Sequence, residues 1–118
     1  MGDILSNNGT GHISHLKAND YIKDEIDPSL SFCEAGVVAM ANKGPDTNGS
    51  QFFITLDDLP FLNGKYTIIG QTIDGYHVLK RLASECGTPE GQSKCNVKIS
   101  KTGIFDYKEY TQNKILKF

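Results

Sequence analysis

Residues 36–54 read GVVAMANKGPDTNGSQFFI. Two apolar runs, Gly36–Ala41 and Gln51–Leu56, flank a connection crowded with Asn42, Gly44, Pro45, Asp46, Asn48 and Gly49. Glycine and asparagine tolerate positive φ, and proline pre-sets φ at a turn, so the connection is expected to be ordered. The flanking runs are rich in Val, Phe and Ile and predict short buried strands.

Downstream, Asp57–Gly64 (DDLPFLNG) is a loop whose Leu59, Phe61 and Leu62 must pack on the core or line a site. Lys65–Ile73 predicts a further strand, with Gly70 at a bulge or close approach. Asp74 is placed to cap a helix over residues 75–84. Helical spacing of Tyr76, Leu79 and Ala83, and of Val78 and Leu82, predicts an apolar face toward the sheet, with His77 and Arg81 on the solvated side. Gly87–Lys94 is a polar loop, and alternation through Val97 and Ile99 predicts a last strand over residues 95–105. Residues 106–118 read as a tail, a helix turn or the start of a linker. Upstream, residues 2–14 are loop-like. Residues 16–35 read as a polar surface excursion with turns at Asp24-Glu25 and Asp27-Pro28-Ser29. The residues alone therefore predict four mostly antiparallel strands and one helix, with a site between the Asn42 and Phe61 loops. Such an open sheet has two exposed edges, which proteins normally cover or close.

Composition narrows the function classes. With 118 residues, 38% hydrophobic and 22% charged, the expectation is one soluble globular domain. Twelve Lys and Arg against fourteen Asp and Glu leave a net charge of −2 and no basic stripe, which argues against a nucleic-acid partner. No apolar run is long enough for a membrane-spanning helix. MGDILSNNGTG shows no signal-peptide pattern. Cys33, Cys86 and Cys95 form no CxxC pair and read as free thiols of a reducing compartment, hence a cytoplasmic or nuclear location. Cys86 and Cys95 could bridge one loop, but spacing alone does not fix the geometry. His12 and His15 have no further ligands nearby, so neither metal nor cofactor is expected. Asn8-Gly9-Thr10 and Asn48-Gly49-Ser50 fit the glycosylation pattern but read as turns.

MANKGPDTNGSQFFIT closely resembles the signature of the cyclophilins, the cyclosporin-binding peptidyl-prolyl isomerases. The resemblance begins at GD and NNGTG and continues through LNGKYTIIG to about Phe105, so residues 1–105 are expected to be a partial cyclophilin-like domain. It implies a mainly β fold: in the family, an eight-stranded antiparallel barrel with two helices. Here only the last four strands and second helix have counterparts. The family's first strands, first helix and FHR-like segment do not, which implies a complementing N-terminal segment.

The implied chemistry is rotation of the bond preceding proline. Amide resonance sets a barrier of about 18–20 kcal/mol, and a typical acceleration requires lowering it by about 5–8 kcal/mol, at 1.36 kcal/mol per decade. The site must hold the proline ring in an apolar pocket and favour the twisted amide. Carried over from the family, Phe53, Phe61 and Leu62 resemble pocket walls, and Tyr66 stands in place of a pocket-edge histidine. Asn42, through its backbone, and Gln51, through its side chain, resemble the groups that orient the substrate. Gly9 and Ala41 resemble positions where a small residue lets the peptide approach. Phe61 stands where the family usually carries tryptophan and lacks the indole N–H, which implies weakened cyclosporin binding. Lys43 replaces a small residue and adds a charge beside the peptide groove. The family arginine that donates toward the proline nitrogen has no counterpart, because the only arginine is Arg81 in the helix. Losing such a donor typically costs about 2.7–4 kcal/mol of barrier lowering. The resemblance thus implies an isomerase acting on proline-containing peptides, with doubtful activity in these residues alone. The alternative is a non-catalytic proline-binding or scaffold module.

Overall fold

Strand β1, Val37–Met40, is the centre of the sheet. It pairs antiparallel with β2, Phe52–Ile54, in the register Val38↔Ile54, Ala39↔Phe53 and Met40↔Phe52. On its other side lies β3, Ile68–Gln71, also antiparallel. Val38 faces Gly70 but Ala39 faces Ile68, so the register slips and Ile69 has no partner in the ladder. That slip is the irregularity expected at Gly70. The computed structural model describes residues 2, 8–14, 20–104 and 106–109. The chain divides into two units, residues 1–85 and 86–118.

Side-chain alternation gives the sheet two apolar faces. Val37 and Ala39 of β1 share one face with Phe53 and Ile68, and that face carries the core of the first unit. Phe32 covers it and is fully buried. Burying a phenylalanine side chain contributes about 1.5–3 kcal/mol. Leu59, Leu62 and Tyr66 complete the cluster. The other face, with Val38, Met40, Phe52 and Ile54, is only half-buried.

Several expectations need qualification or correction. Residues 20–35 are mostly exposed, as a surface excursion should be, but they are anchored through Phe32, which is fully buried. Phe32 receives the Leu59 N–H on its carbonyl at 2.8 Å and donates its own N–H to Asn63 Oδ1 at 2.8 Å. Ile22 and Asn48 exchange backbone hydrogen bonds of 2.8 and 3.2 Å. One aromatic in a polar stretch shows no periodicity, so the sequence pattern is silent about it. The fourth strand is also missing: residues 95–104 form no strand, and Phe105 lies outside the described residues. Ile99 and Ile104 are exposed there, and alternation without a pairing edge does not make a ladder. The described residues thus form a three-stranded open sheet rather than a barrel, with β2 and β3 as its edges.

The helix, α1, spans Tyr76–Cys86, and Asp74 accepts the Gly75 N–H at its entrance. Its apolar side does not lie on the sheet, since α1 makes no close approach to any of the three strands. Tyr76, Leu79 and Leu82 are half-buried, while Val78 and Ala83 are exposed. The tyrosine hydroxyl moors the helix by donating to the Leu56 carbonyl at 2.9 Å.

In the second unit, Cys86 and Cys95 form a disulfide with Cα atoms 5.2 Å apart. The Lys94 N–H also returns to the Cys86 carbonyl, which brings the two cysteines within bridging distance. Cys33 is the free, exposed thiol among the described residues, so the expectation of three free thiols fails. The compartment inferred from those thiols loses that support. Of the glycosylation-like triplets, Asn8-Gly9-Thr10 is a bend in which Asn8 Oδ1 accepts from the Thr10 N–H and hydroxyl, whereas Asn48 is buried and bridged to Ile22 rather than in a turn. His15 and residues 110–118 lie outside the described residues, while residues 107–109 make a helical turn.

Candidate functional site

The connection between β1 and β2 is held by its own side chains. Asn42 Nδ2 donates to the Lys65 carbonyl at 2.9 Å, and its Oδ1 accepts the Gly44 N–H at 3.2 Å. Thr47 Oγ1 accepts the Lys43 N–H and donates to the Gly44 carbonyl, each at 2.8 Å. Asp24 and Asp46 exchange backbone-to-carboxylate hydrogen bonds of 2.8 and 3.0 Å. This network fixes Asp46 in the left-handed region at φ 56°, a conformation aspartate tolerates better than most residues. Asn48, buried, donates from Nδ2 to the Ile22 carbonyl at 3.0 Å and to Asp24 Oδ1 at 2.8 Å.

Asn42 is the hinge of the site. Its side chain is engaged by the loops, whereas its main-chain N–H and C=O make no hydrogen bond among the described residues. The preceding pair is closed, with the Ala41 N–H donating to the Gln51 carbonyl at 2.9 Å. The ladder therefore stops one residue before Asn42 and leaves two backbone groups that an extended peptide could satisfy.

A cavity of about 150 Å³ opens beside them, lined by Gly9, Ala41, Asn42 and Gln51 together with Thr10, His12, Tyr21, Lys43, Thr47 and Gly49. Gln51 Nε2 donates to the carbonyls of Gly9 and Gly11, so it ties the N-terminal segment to β2. To donate to a substrate carbonyl, it must release one of those acceptors. Gly9 has φ 87°, and no protein atom lies within 4 Å of where a Cβ would stand. In the free chain, glycine there is required by backbone conformation rather than crowding.

The apolar residues gather on the neighbouring wall. Phe53 stacks on Phe32 with centroids 6.1 Å apart, and Tyr66 meets Phe53 edge-on at 5.2 Å. Both geometries suit aromatic quadrupoles. Leu62 packs against the same core from the 3-10 turn Pro60–Leu62. Tyr66 and Asn42 line a second, open cavity of about 440 Å³ with Asp24, Gly44, Pro45, Gly64 and both Lys43 and Lys65, so wall and rim adjoin. Phe61 stands apart: it is 65% exposed and outside the core cluster.

Two cavity residues carried no signal in the sequence. His12 and Tyr21 stack with centroids 4.4 Å apart and planes 13° from parallel. They come from segments without periodicity, and their juxtaposition depends on the Ile22–Asn48 bridge. Gly49 marks the contact, because a Cβ there would stand 2.6 Å from His12 Cβ.

Comparison with known proteins accounts for this arrangement. The sequence profile of the family described as "Cyclophilin type peptidyl-prolyl cis-trans isomerase/CLD" matches residues 1–104. A curated relative, "Peptidyl-prolyl cis-trans isomerase-like 1" of Gibberella zeae, is 41% identical over 101 residues, covering 86% of this chain and 62% of that protein. A crystal structure of a cyclophilin-type peptidyl-prolyl cis-trans isomerase of Cryptosporidium parvum superposes with a TM-score of 0.65 at 41% identity, over 75% of this chain and 55% of the other. A second structure of that protein, in the presence of the dipeptide Ala-Pro, gives a TM-score of 0.64 at 42% identity, over 73% and 54% of the two chains. The chain thus spans about three-fifths of its curated relative's length. With both fold and sequence matching over most of its residues, the chain belongs to the cyclophilin-type peptidyl-prolyl isomerase family.

Proposed function

We propose that these residues form the proline-gripping part of a peptidyl-prolyl cis-trans isomerase. The observation that carries the reading is Asn42: its two main-chain groups make no hydrogen bond among the described residues at the end of the β1–β2 ladder, between a polar rim and an aromatic wall. An extended peptide hydrogen-bonds to Asn42 as an added strand would. Its proline ring packs on the surface of Phe53, Leu62 and Tyr66. The Cryptosporidium parvum relative studied with Ala-Pro supports the substrate class.

Isomerisation needs neither nucleophile nor proton transfer. Gripping the residues on both sides of the bond while the apolar wall keeps water from the proline favours the conformer in which amide resonance is broken. The donor expected to complete that effect does not come from Arg81, whose Nε is paired with Glu85 Oε1 at 2.8 Å on the exposed helix surface. This chain alone is therefore expected to bind proline peptides and turn them over slowly. A complementing segment that brings an arginine would restore the missing part of the barrier lowering. Phe61, exposed and without an indole N–H, gives weaker cyclosporin binding than a tryptophan would.

The same Arg81 pairing favours, as a second reading, a proline-binding module that does not need turnover. Exchange NMR on a succinyl-Ala-Ala-Pro-Phe peptide separates the readings. The enzyme reading predicts line exchange between cis and trans resonances that rises with protein concentration, far below that of a complete cyclophilin. Peptide-induced shifts with no exchange at any protein concentration support the module. Absence of both overturns both.

A further inference from the structure

Lys43 is the one residue lining the 150 Å³ cavity that carries a full charge. It also lines the larger cavity, which shares Asn42 with the first, so Lys43 borders both. Among the described residues it has no ion-pair partner; the ion pair they form is Arg81–Glu85. The larger cavity is also lined by Asp24 and Lys65, and Asp24 and Asp46 keep their negative charges while they accept hydrogen bonds from the loop. Asp24 accepts from the Asp46 N–H and Asn48 Nδ2, and Asp46 accepts from the Asp24 N–H.

The backbone beneath Lys43 is fixed, while its side chain makes no hydrogen bond or ion pair among the described residues. Its N–H is held by Thr47, and the residues on both sides are tied by the Asn42–Lys65 and Gly44–Asn42 bonds. The cation therefore projects from an ordered base, one residue from the free main-chain groups of Asn42. A peptide bonded to Asn42 must pass its flanking side chains along either cavity. In the smaller cavity an anionic side chain meets an ammonium that has no ion-pair partner among the described residues, and a cationic one meets repulsion.

We propose that Lys43 makes this site selective for proline segments flanked by Asp or Glu. The inference rests on the peptide-binding reading above, with Lys43 as a specificity residue rather than a catalytic one. An exposed ion pair of this kind corresponds to a preference of about two- to five-fold at low salt. The preference shrinks as ionic strength rises, because the Debye length falls from about 30 Å at 0.01 M to about 8 Å at 0.15 M.

The test uses the full chain and paired proline peptides carrying Glu or Gln at each of the three positions before and after the proline. The readout is the ratio of Glu-peptide to Gln-peptide affinity by NMR titration, compared among the wild type, Lys43→Ala and Lys43→Glu. The proposal predicts a ratio above two at one or more positions, near one in Lys43→Ala and below one in Lys43→Glu. A wild-type ratio of one everywhere, or a ratio unchanged by Lys43→Ala, overturns it and leaves the peptide-binding reading standing. If no peptide of either kind binds, both fall. Lys43→Arg should retain the ratio, which separates charge from the shape of lysine.

Discussion

The aromatic wall and the polar rim of the site adjoin at Asn42 and Tyr66 but are held by different forces. Phe53 and Tyr66 are fixed by packing: Phe53 lies opposite Ala39 in the ladder, and both rings rest against Phe32. The rim is fixed by directional hydrogen bonds from Asn42, Asp24, Thr47, Asn48 and Gln51. The wall thus serves core and pocket together, so a change there alters both. In the rim, structural side chains and free main-chain groups are separate atoms, even within Asn42. Binding is therefore separable from folding in the rim and not in the wall.

The sharpest way to break that comparison is Phe32→Ala. Phe32 touches no proposed ligand, yet it supports Phe53 and Tyr66, so the substitution should cost about 3–5 kcal/mol. Urea unfolding would show the lost stability, and ring resonances would show both aromatics released together. An unchanged urea midpoint would mean that the wall does not depend on the core. In the rim, Asn48→Ala removes donors to Ile22 and Asp24 and should cost about 1–3 kcal/mol. Its distinguishing sign is faster amide exchange at Ile22, with the Phe53–Tyr66 contacts intact.

Phe61→Ala should change stability by no more than about 0.5 kcal/mol, because most of the ring is already in water. A larger loss would place Phe61 in the wall. The smallest effect concerns Asp27, at the turn entering the Phe32 segment. The Ser29 hydroxyl, and then the Ser29 N–H, hold its carboxyl below the usual carboxylate range. A folded value below the unfolded one means a stabilising contribution that is present above the unfolded pKa and lost as pH falls through the folded pKa. In Ser29→Ala, NMR titration should show the Asp27 carboxyl moving up toward its ordinary value. No movement would mean that the hydroxyl is not the cause.

What could be read from the sequence follows the same division. Runs of Val, Phe and Ile located β1, β2 and β3, and Gly70 marked the slip in register. The turn residues of 42–49 announced an ordered connection, because their preferences are local. Local pattern could not show that Phe32, alone in a polar stretch, closes the core, since its partners Leu59 and Asn63 lie some thirty residues away. His12 and Tyr21 escaped for the same reason. The alternation at Val97 and Ile99 misled in the opposite direction: it promises a strand only where another strand supplies an edge. Among the site residues, family resemblance selected Gly9, Ala41, Asn42, Gln51, Phe53, Phe61, Leu62 and Tyr66. The structure brings them together except Phe61, whose ring points into solvent.

The most direct measurement is a two-dimensional NMR titration of the isotopically labelled chain with an Ala-Pro-containing peptide. Binding through the free main-chain groups predicts the largest amide shifts at Asn42 and its neighbours Ala41 and Lys43, with ring-proton shifts at Phe53 and Tyr66. Saturating shifts confined to residues 87–104, or none at millimolar peptide, would contradict a proline groove built on the β1–β2 connection.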